Sequence, residues 1–283
     1  MNFFRNFLAS FLGSITALIL IISLGFFLLA GIASVATFDK NILQGEISSN
    51  SILNLDLDKD VYDNIPITQE FEEILGVSPE IIKFLDLINA IESAGNNKDI
   101  NGINLKSQSP KMGWSQALTI RKALQKFKDK GKFIYCYGDF FSQKGYYLAS
   151  VSDSIFLNPM GNVELRGLGA EVLYYKQLQE KYGFKMEVVR HGKYKSAVEP
   201  YLDDKMSEAN RNQIKSLLNS IWDGIGNQIK LSRKISSENF NKVVDNLDAT
   251  FPENAYRNNI VDGIVSKSQY KYDSILCTAT STA

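Results

Sequence analysis

The densest run of chemically capable side chains lies between Val189 and Met206, VRHGKYKSAVEPYLDDKM. After Gly192 come Lys193 and Lys195, then Ser196, a small-residue stretch, Glu199 and Pro200. A loop leaving a strand end is a common place for functional groups in α/β proteins, although a lysine on such a loop also reads as an ordinary solvated side chain. Glu199 and Asp203 read either as surface acids or as groups that hold a lysine in place. His191 is the chain's 1 histidine, so a multi-histidine metal site is impossible and at most one imidazole is left for catalysis. Beside a glycine at a strand end it reads as packed or solvated. The 2 cysteines, Cys136 and Cys277, exclude a disulfide framework and a four-thiolate zinc site within one chain. Cys136, in KFIYCY, reads as a small core residue, and Cys277 as a free thiol. Neither G-x-x-x-x-G-K-[ST] nor G-x-G-x-x-G occurs, and Arg166 to Gly169 reads as a turn. No metal or cofactor is therefore expected.

These residues need elements to position them. Ser51 to Leu57 alternates apolar and polar as a half-buried strand does. Ser78-Pro79-Glu80 supplies an N-cap, a proline at N1 and a first-turn acid for a helix through about Ser93, with Ile81, Phe84, Leu85 and Leu87 as its apolar face. Strands are expected at Ile100–Leu105, Lys132–Tyr137, Asp153–Leu157 and Lys185–Val189. Helices are expected at Gly113–Lys130, near Gly145–Ser150, at Ala170–Tyr182, from Ser207 to about Lys230, and at Ser237–Asn246. Basic runs such as Lys126–Lys132 read as a solvated helix face. Strand–helix alternation of this kind predicts an α/β domain with a mostly parallel sheet.

The N-terminal region is of another kind. From Asn6 to Phe38 there is no charge, and Ile15 to Ala36 is long enough to span a hydrocarbon core. A signal peptide cleaved near Ala33-Ser34-Val35-Ala36 is the competing reading, but its apolar core would exceed the usual length. With Arg5 ahead of the span, the positive-inside rule leaves the N-terminus in the cytoplasm and the rest outside. Balanced charge, 31 Lys+Arg against 31 Asp+Glu, argues against nucleic acid as a partner, and 45% hydrophobic with 22% charged residues is a globular composition.

Tyr194-Lys195-Ser196-Ala197-Val198-Glu199-Pro200 resembles the signature of the SppA (protease IV) family of signal peptide peptidases. Ser142 to Ser150 (SQKGYYLAS), Asp153 to Gly167, Leu173 to Lys176 and Asp203 to Ser207 match in the same order. The resemblance implies a membrane-anchored bacterial serine peptidase of the Clp/crotonase-like (ββα) fold. It also implies a Ser–Lys dyad with Lys195 at the position of the general base. Such a lysine must be neutral to act. Burial that brings its pKa from about 10.4 to roughly 7–8 costs about 3–5 kcal/mol, which a dry interface provides and an exposed loop does not.

The resemblance is to the N-terminal half of the family's double-length form, in which the C-terminal half carries the serine within an S-G-G-Y-type motif. No S-G-G-Y occurs here. Ser142 is followed by larger residues where close backbone approach needs glycine, and Ser196, next to Lys195 in an extended segment, would point the other way. Ser107 to Gly113 lacks the expected oxyanion glycine pair. The expectations are an anchor at residues 1–40, a linker at 41–50, the peptidase half at 51–266 and a tail at 267–283. The lone chain is expected to be inactive, to act on remnant signal peptides once completed by a second half, and to form a homo-oligomer at the bacterial inner membrane. The alternatives are a non-catalytic scaffold or peptide-binding half, and an acyl-CoA hydratase or isomerase on the same fold.

Overall fold

A computed structural model describes residues 2–42, 47–64, 81–189, 191–192 and 195–270. The chain divides into two units, one of Met1–Ser48 with Pro66–Pro79, the other of Ser49–Ile65 with Glu80–Ala283.

The first unit holds helix α1 (Asn2–Ile42). Its apolar window, Phe3–Leu28, has a mean hydropathy of 2.5 and is long enough to cross a membrane. It starts earlier than the sequence placed the span, because Phe3, Phe4, Phe7, Leu8 and Phe11 outweigh the single charge of Arg5. The hydroxyls of Ser14, Thr16 and Ser23 donate to carbonyls one turn back, so they are satisfied inside the helix.

The second unit is built on a parallel sheet. Its strands are β1 (Ser51–Asp56), β4 (Ile100–Lys106), β5 (Phe133–Gly138), β6 (Ser154–Leu157) and β7 (Gly263–Ile264), side by side in that order. β2 (Asp60–Tyr62) and β3 (Ile81–Lys83) form a separate parallel pair. Strand order that rises steadily, with one crossover hand, puts the connecting helices on one face. These are α2 (Phe84–Asn96), α3 (Trp114–Asp129) and α4 (Gln143–Ala149). The register aligns Leu55, Leu105, Cys136 and Ile155 in one row, all buried. Helix residues Ile91, Ile120, Leu124, Phe127, Tyr146 and Leu148 belong to the same core. The next row, on the opposite face, is polar: Asn104 Nδ2 donates to Asn54 Oδ1 at 2.7 Å, and Tyr270 Oη donates to Asn104 Oδ1 at 2.6 Å. Tyr270 also stacks on Tyr137, with ring centres 5.0 Å apart.

The remaining elements are α5 (Lys176–Tyr182), a 3₁₀ turn (Ser196–Val198), α6 (Glu199–Leu202), α7 (Glu208–Arg233), α8 (Ser237–Asp245), a second 3₁₀ turn (Asp248–Thr250) and α9 (Pro252–Arg257). Ser142, Ser207 and Ser236 N-cap α4, α7 and α8, each accepting from the backbone N–H three residues on. Lys132 Nζ donates to the carbonyls of Ala94, Asn97 and Ile100 and so closes the end of α2. Arg121 is buried. It donates to Tyr147 O and Ser150 Oγ around α4 and to Gln228 O and Ser232 Oγ on α7, and its guanidinium lies 4.7 Å from the Tyr147 ring centre. Burial pushes its pKa down to about 10, with Tyr147 and Tyr146 countering, so it remains charged at neutral pH.

The α/β architecture with a parallel sheet is the one expected, and four of the five expected strands and most helices lie where placed. Three placements change. The helix expected from Ser78 starts at Phe84, because Ile81 and Ile82 pair with Asp60 and Val61 as β3; Ser78 to Glu80 lie outside the described residues. Residues 170–175 are irregular, and the helix expected from Ala170 begins at Lys176. The strand expected at Lys185–Val189 is irregular, with Val189 fully exposed: β-branched residues make a strand only where a partner completes the ladder.

Candidate functional site

Two places carry the groups singled out by sequence. The first is the turn from β5 into α4. Ser142 is half-buried at its N-cap, and its Oγ accepts from Gly145 N at 3.1 Å. Its own N–H donates to Gln108 O at 2.8 Å. A Cβ on Gly145 would overlap the carbonyl oxygens of Ser107 and Gln108, so the loop after β4 touches α4 backbone to backbone, and only glycine fits. Two glutamine side chains fill the donors nearby. Gln108 Oε1 accepts from Asp139 N at 3.1 Å and Phe140 N at 3.4 Å. Gln143 Oε1 accepts from Arg166 N at 3.1 Å and Gly167 N at 3.0 Å. An oxyanion hole needs N–H groups free to meet a developing charge, and these four are already taken by amide oxygens of the chain. Lys144 donates to Met112 O and lies 5.6 Å over the Trp114 ring, and desolvation lowers its pKa.

The second place holds Lys195, which is exposed at the N-cap of the 3₁₀ turn Ser196–Val198. From sequence, Ser196 is expected in an extended segment. It instead opens a helical turn, because Ser196 to Leu202 run as a 3₁₀ turn straight into α6 with Pro200 in the first turn. Glu199 is 2% exposed, so of the two readings left open the surface acid falls away. Its Oε1 accepts from Ser207 Oγ at 2.6 Å, and its Oε2 from Asn210 Nδ2 at 2.9 Å and Ser207 N at 3.3 Å. Asp203 is half-buried and its N–H donates to Glu199 O at 2.9 Å. α5 joins this loop through Tyr175 N to Pro200 O at 2.6 Å and Gln179 Nε2 to Tyr201 O at 2.8 Å. His191 is exposed, and Arg190, Lys193 and Tyr194 lie outside the described residues, as does Cys277. Cys136 is buried at the centre of the sheet, and burial raises its thiol pKa. The bonds described around Ser142 and those around Glu199 have no residue in common. Among the described residues no group of three or more His, Cys, Asp or Glu is placed to hold a metal ion.

The model of peptidase family S49 matches residues 126–272, just over half of the 283 residues and including Lys195, Glu199 and Ser142. The chain belongs to peptidase family S49. Among its S49-type relatives, Protease 4 of Salmonella typhi is 35% identical over 175 residues, covering 59% of this chain and 28% of that protein. Protease 4 of Haemophilus influenzae is 33% identical over 198 residues, 68% of this chain and 32% of the relative. The chloroplastic serine protease SPPA of Arabidopsis thaliana is 32% identical over 145 residues, 50% and 21%. This S49 chain thus spans about a third or less of the length of these curated relatives. Likeness to solved structures is loose. An enoyl-CoA hydratase/isomerase family protein from Silicibacter pomeroyi gives a TM-score of 0.43 at 11% identity, over 84% of this chain and 82% of that one. A 1510-N membrane-bound stomatin-specific protease gives 0.41 at 11%, over 79% and 84%.

The signals missed by sequence were Gln108 and Gln143 as occupants of backbone donors, and Arg121 as a buried cation. Nothing in their local patterns marks them, since each acts on backbone distant in sequence.

Proposed function

We propose that this chain is the membrane-anchored, base-carrying part of an SppA-type serine peptidase. Lys195 serves as general base, and a serine from a second segment or partner half serves as nucleophile. The observation that carries this reading is the loop itself: within the S49 match, a lysine stands exposed at the tip of a turn whose other end is pinned by a buried carboxylate. In the reaction, neutral Lys195 Nζ takes the proton of the serine hydroxyl as Oγ adds to the scissile carbonyl. The proton then passes to the leaving amine, and water hydrolyses the acyl-enzyme by the same route. A dry surround favours the neutral amine, so in this proposal the partner segment also covers Lys195. Leu173, Tyr182, Phe184, Met186, Val189 and Leu217 are all exposed in this same part of the chain, which supports a partner or a second copy packing there. The substrates proposed are remnant signal peptides. The topology proposed is a cytoplasmic N-terminus and an extracytoplasmic peptidase half at a bacterial inner membrane, with the divisions 1–40, 41–50, 51–266 and 267–283.

The test is reconstitution in detergent micelles with and without a C-terminal half bearing the S-G-G-Y-type serine. Peptide hydrolysis is expected only with both halves, and Lys195→Ala should reduce it by about 10²–10⁴-fold, the usual scale for a general base. Activity that survives Lys195→Ala sinks the reading. A second reading, a non-catalytic scaffold, is favoured by the hydrogen bonds that occupy Ser142 and its surroundings. It predicts defined oligomers that bind extended peptides equally well with Lys195→Ala and hydrolyse none.

A further inference from the structure

We propose that Glu199 is the positioning residue that sets where the Lys195 amine stands, an inference that rests on Lys195 being the general base. Lys195 enters the 3₁₀ turn Ser196–Val198, which runs without a break into α6, whose first residue is Glu199. Between the backbone of Lys195 and that of Glu199 there is thus one short helical turn of chain, with the lysine side chain projecting from its start. Both Glu199 oxygens end on the N-terminus of α7, a 26-residue helix, through Ser207 N, Ser207 Oγ and Asn210 Nδ2. Ser207 Oγ in turn accepts from Asn210 N at 3.2 Å, so the hydroxyl proton is directed at the carboxylate. All these groups donate to Glu199, which suits an ionised carboxylate at the positive end of a helix dipole. The backbone seals the arrangement: Asp203 N donates to Glu199 O, and Tyr175 N to Pro200 O.

For stability alone a well-packed apolar residue serves as well as a buried acid, which must be desolvated. What the carboxylate supplies is direction. It fixes one end of a short rigid turn to a long helix, and the lysine at the other end inherits that placement. A side chain that misses its productive geometry by about 1 Å can cost about a hundredfold in rate.

The experiment compares wild type, Glu199→Gln and Ser207→Ala as full chains in micelles, each assembled with the C-terminal half, by kcat, KM and pH profile. Tryptic cleavage at the Lys195–Ser196 bond, followed by mass spectrometry, reports the loop independently of activity. Glu199→Gln keeps the shape and loses the charge. The expected result is a fall in kcat of about 10–100-fold with KM within about twofold, a shifted basic limb of the pH profile, and cleavage after Lys195 at least about tenfold faster. Ser207→Ala should move every readout the same way by less, and it keeps the question answerable if Glu199→Gln does not fold. Lys195-dependent activity with unchanged kcat and pH profile in both variants overturns the inference and leaves the peptidase reading standing. A wild-type assembly without Lys195-dependent activity overturns both.

Discussion

The turn at Ser142 and the turn at Lys195 belong to one α/β unit but are held by opposite means. Around Ser142 the backbone does the holding: the loop after β4 meets α4 at Gly145, two glutamines fill the local N–H groups, and Arg121 ties α4 to α7 from below. Around Lys195 the path is irregular from Phe184 to Val189, large apolar residues face solvent, and one buried carboxylate holds the end of the turn. A segment fixed by many backbone contacts is complete within the chain. The Lys195 turn is held by the Glu199 carboxylate and by the bonds from α5 to Pro200 O and Tyr201 O, and large apolar side chains nearby stay in water.

The sharpest way to break this contrast is Arg121→Met. It leaves two carbonyls and two hydroxyls without their donor in the core, and should cost about 3 kcal/mol in urea unfolding of the full chain in micelles. Gly145→Ala comes next. Its new methyl group meets the carbonyls of Ser107 and Gln108, and about 2 kcal/mol is expected by the same measurement. On the other side, Glu199→Gln should cost about 1 kcal/mol, since one oxygen becomes an NH2 that cannot accept, which the Ser207 hydroxyl can turn to receive while the remaining oxygen still accepts from Asn210. If it unfolds the chain more readily than Arg121→Met does, the Lys195 turn is part of the core and the contrast fails. Phe184→Ser with Leu217→Ser should change stability by less than about 0.5 kcal/mol, as exposed sites do. If the chain self-associates through this surface as proposed, the double change should abolish that association in sedimentation, and association equal to wild type would mean that this surface is not where partners pack.

The smallest effect concerns acid. Burial works to raise the Asp56 pKa, but the Lys106 ammonium at 2.8 Å and the Asp58 N–H outweigh it and hold it below 3.8. A folded-state value below the unfolded one gives stability that is present at neutral pH and lost as pH falls through about 4 and below. Because the pair is largely solvated, Asp56→Asn should lower the melting temperature by only about 1–2 °C at pH 7 and by less at pH 3.

How much could be read from sequence follows the same division. Strands β4, β5 and β6 announce themselves through compact apolar runs, and α3 and α7 through helical spacing and an N-cap serine, since each signal is local. β7 is two residues long and exists only because β6 offers an edge. At the site, the lysine was visible by resemblance and the acid one turn later was visible as a residue, but its burial was not. That depends on Ser207 and Asn210 arriving at the start of another helix, a tertiary event with no local pattern. The expected strand at Lys185–Val189 shows the reverse: the right composition is present, without a neighbour in the chain to pair with.

Tyr146, sealed in the middle of the unit, donates its hydroxyl to Ile260 O, and Ile155 N donates to Asp262 Oδ2. Those acceptors are made 114 and 107 residues later. At about 5–20 residues per second of elongation, the phenol waits roughly 6–23 s for its carbonyl. During synthesis the nascent sheet is therefore an open edge with a buried hydroxyl still unmatched, and a ribosome paused before codon 260 would hold a chain fit for chaperones rather than for closure.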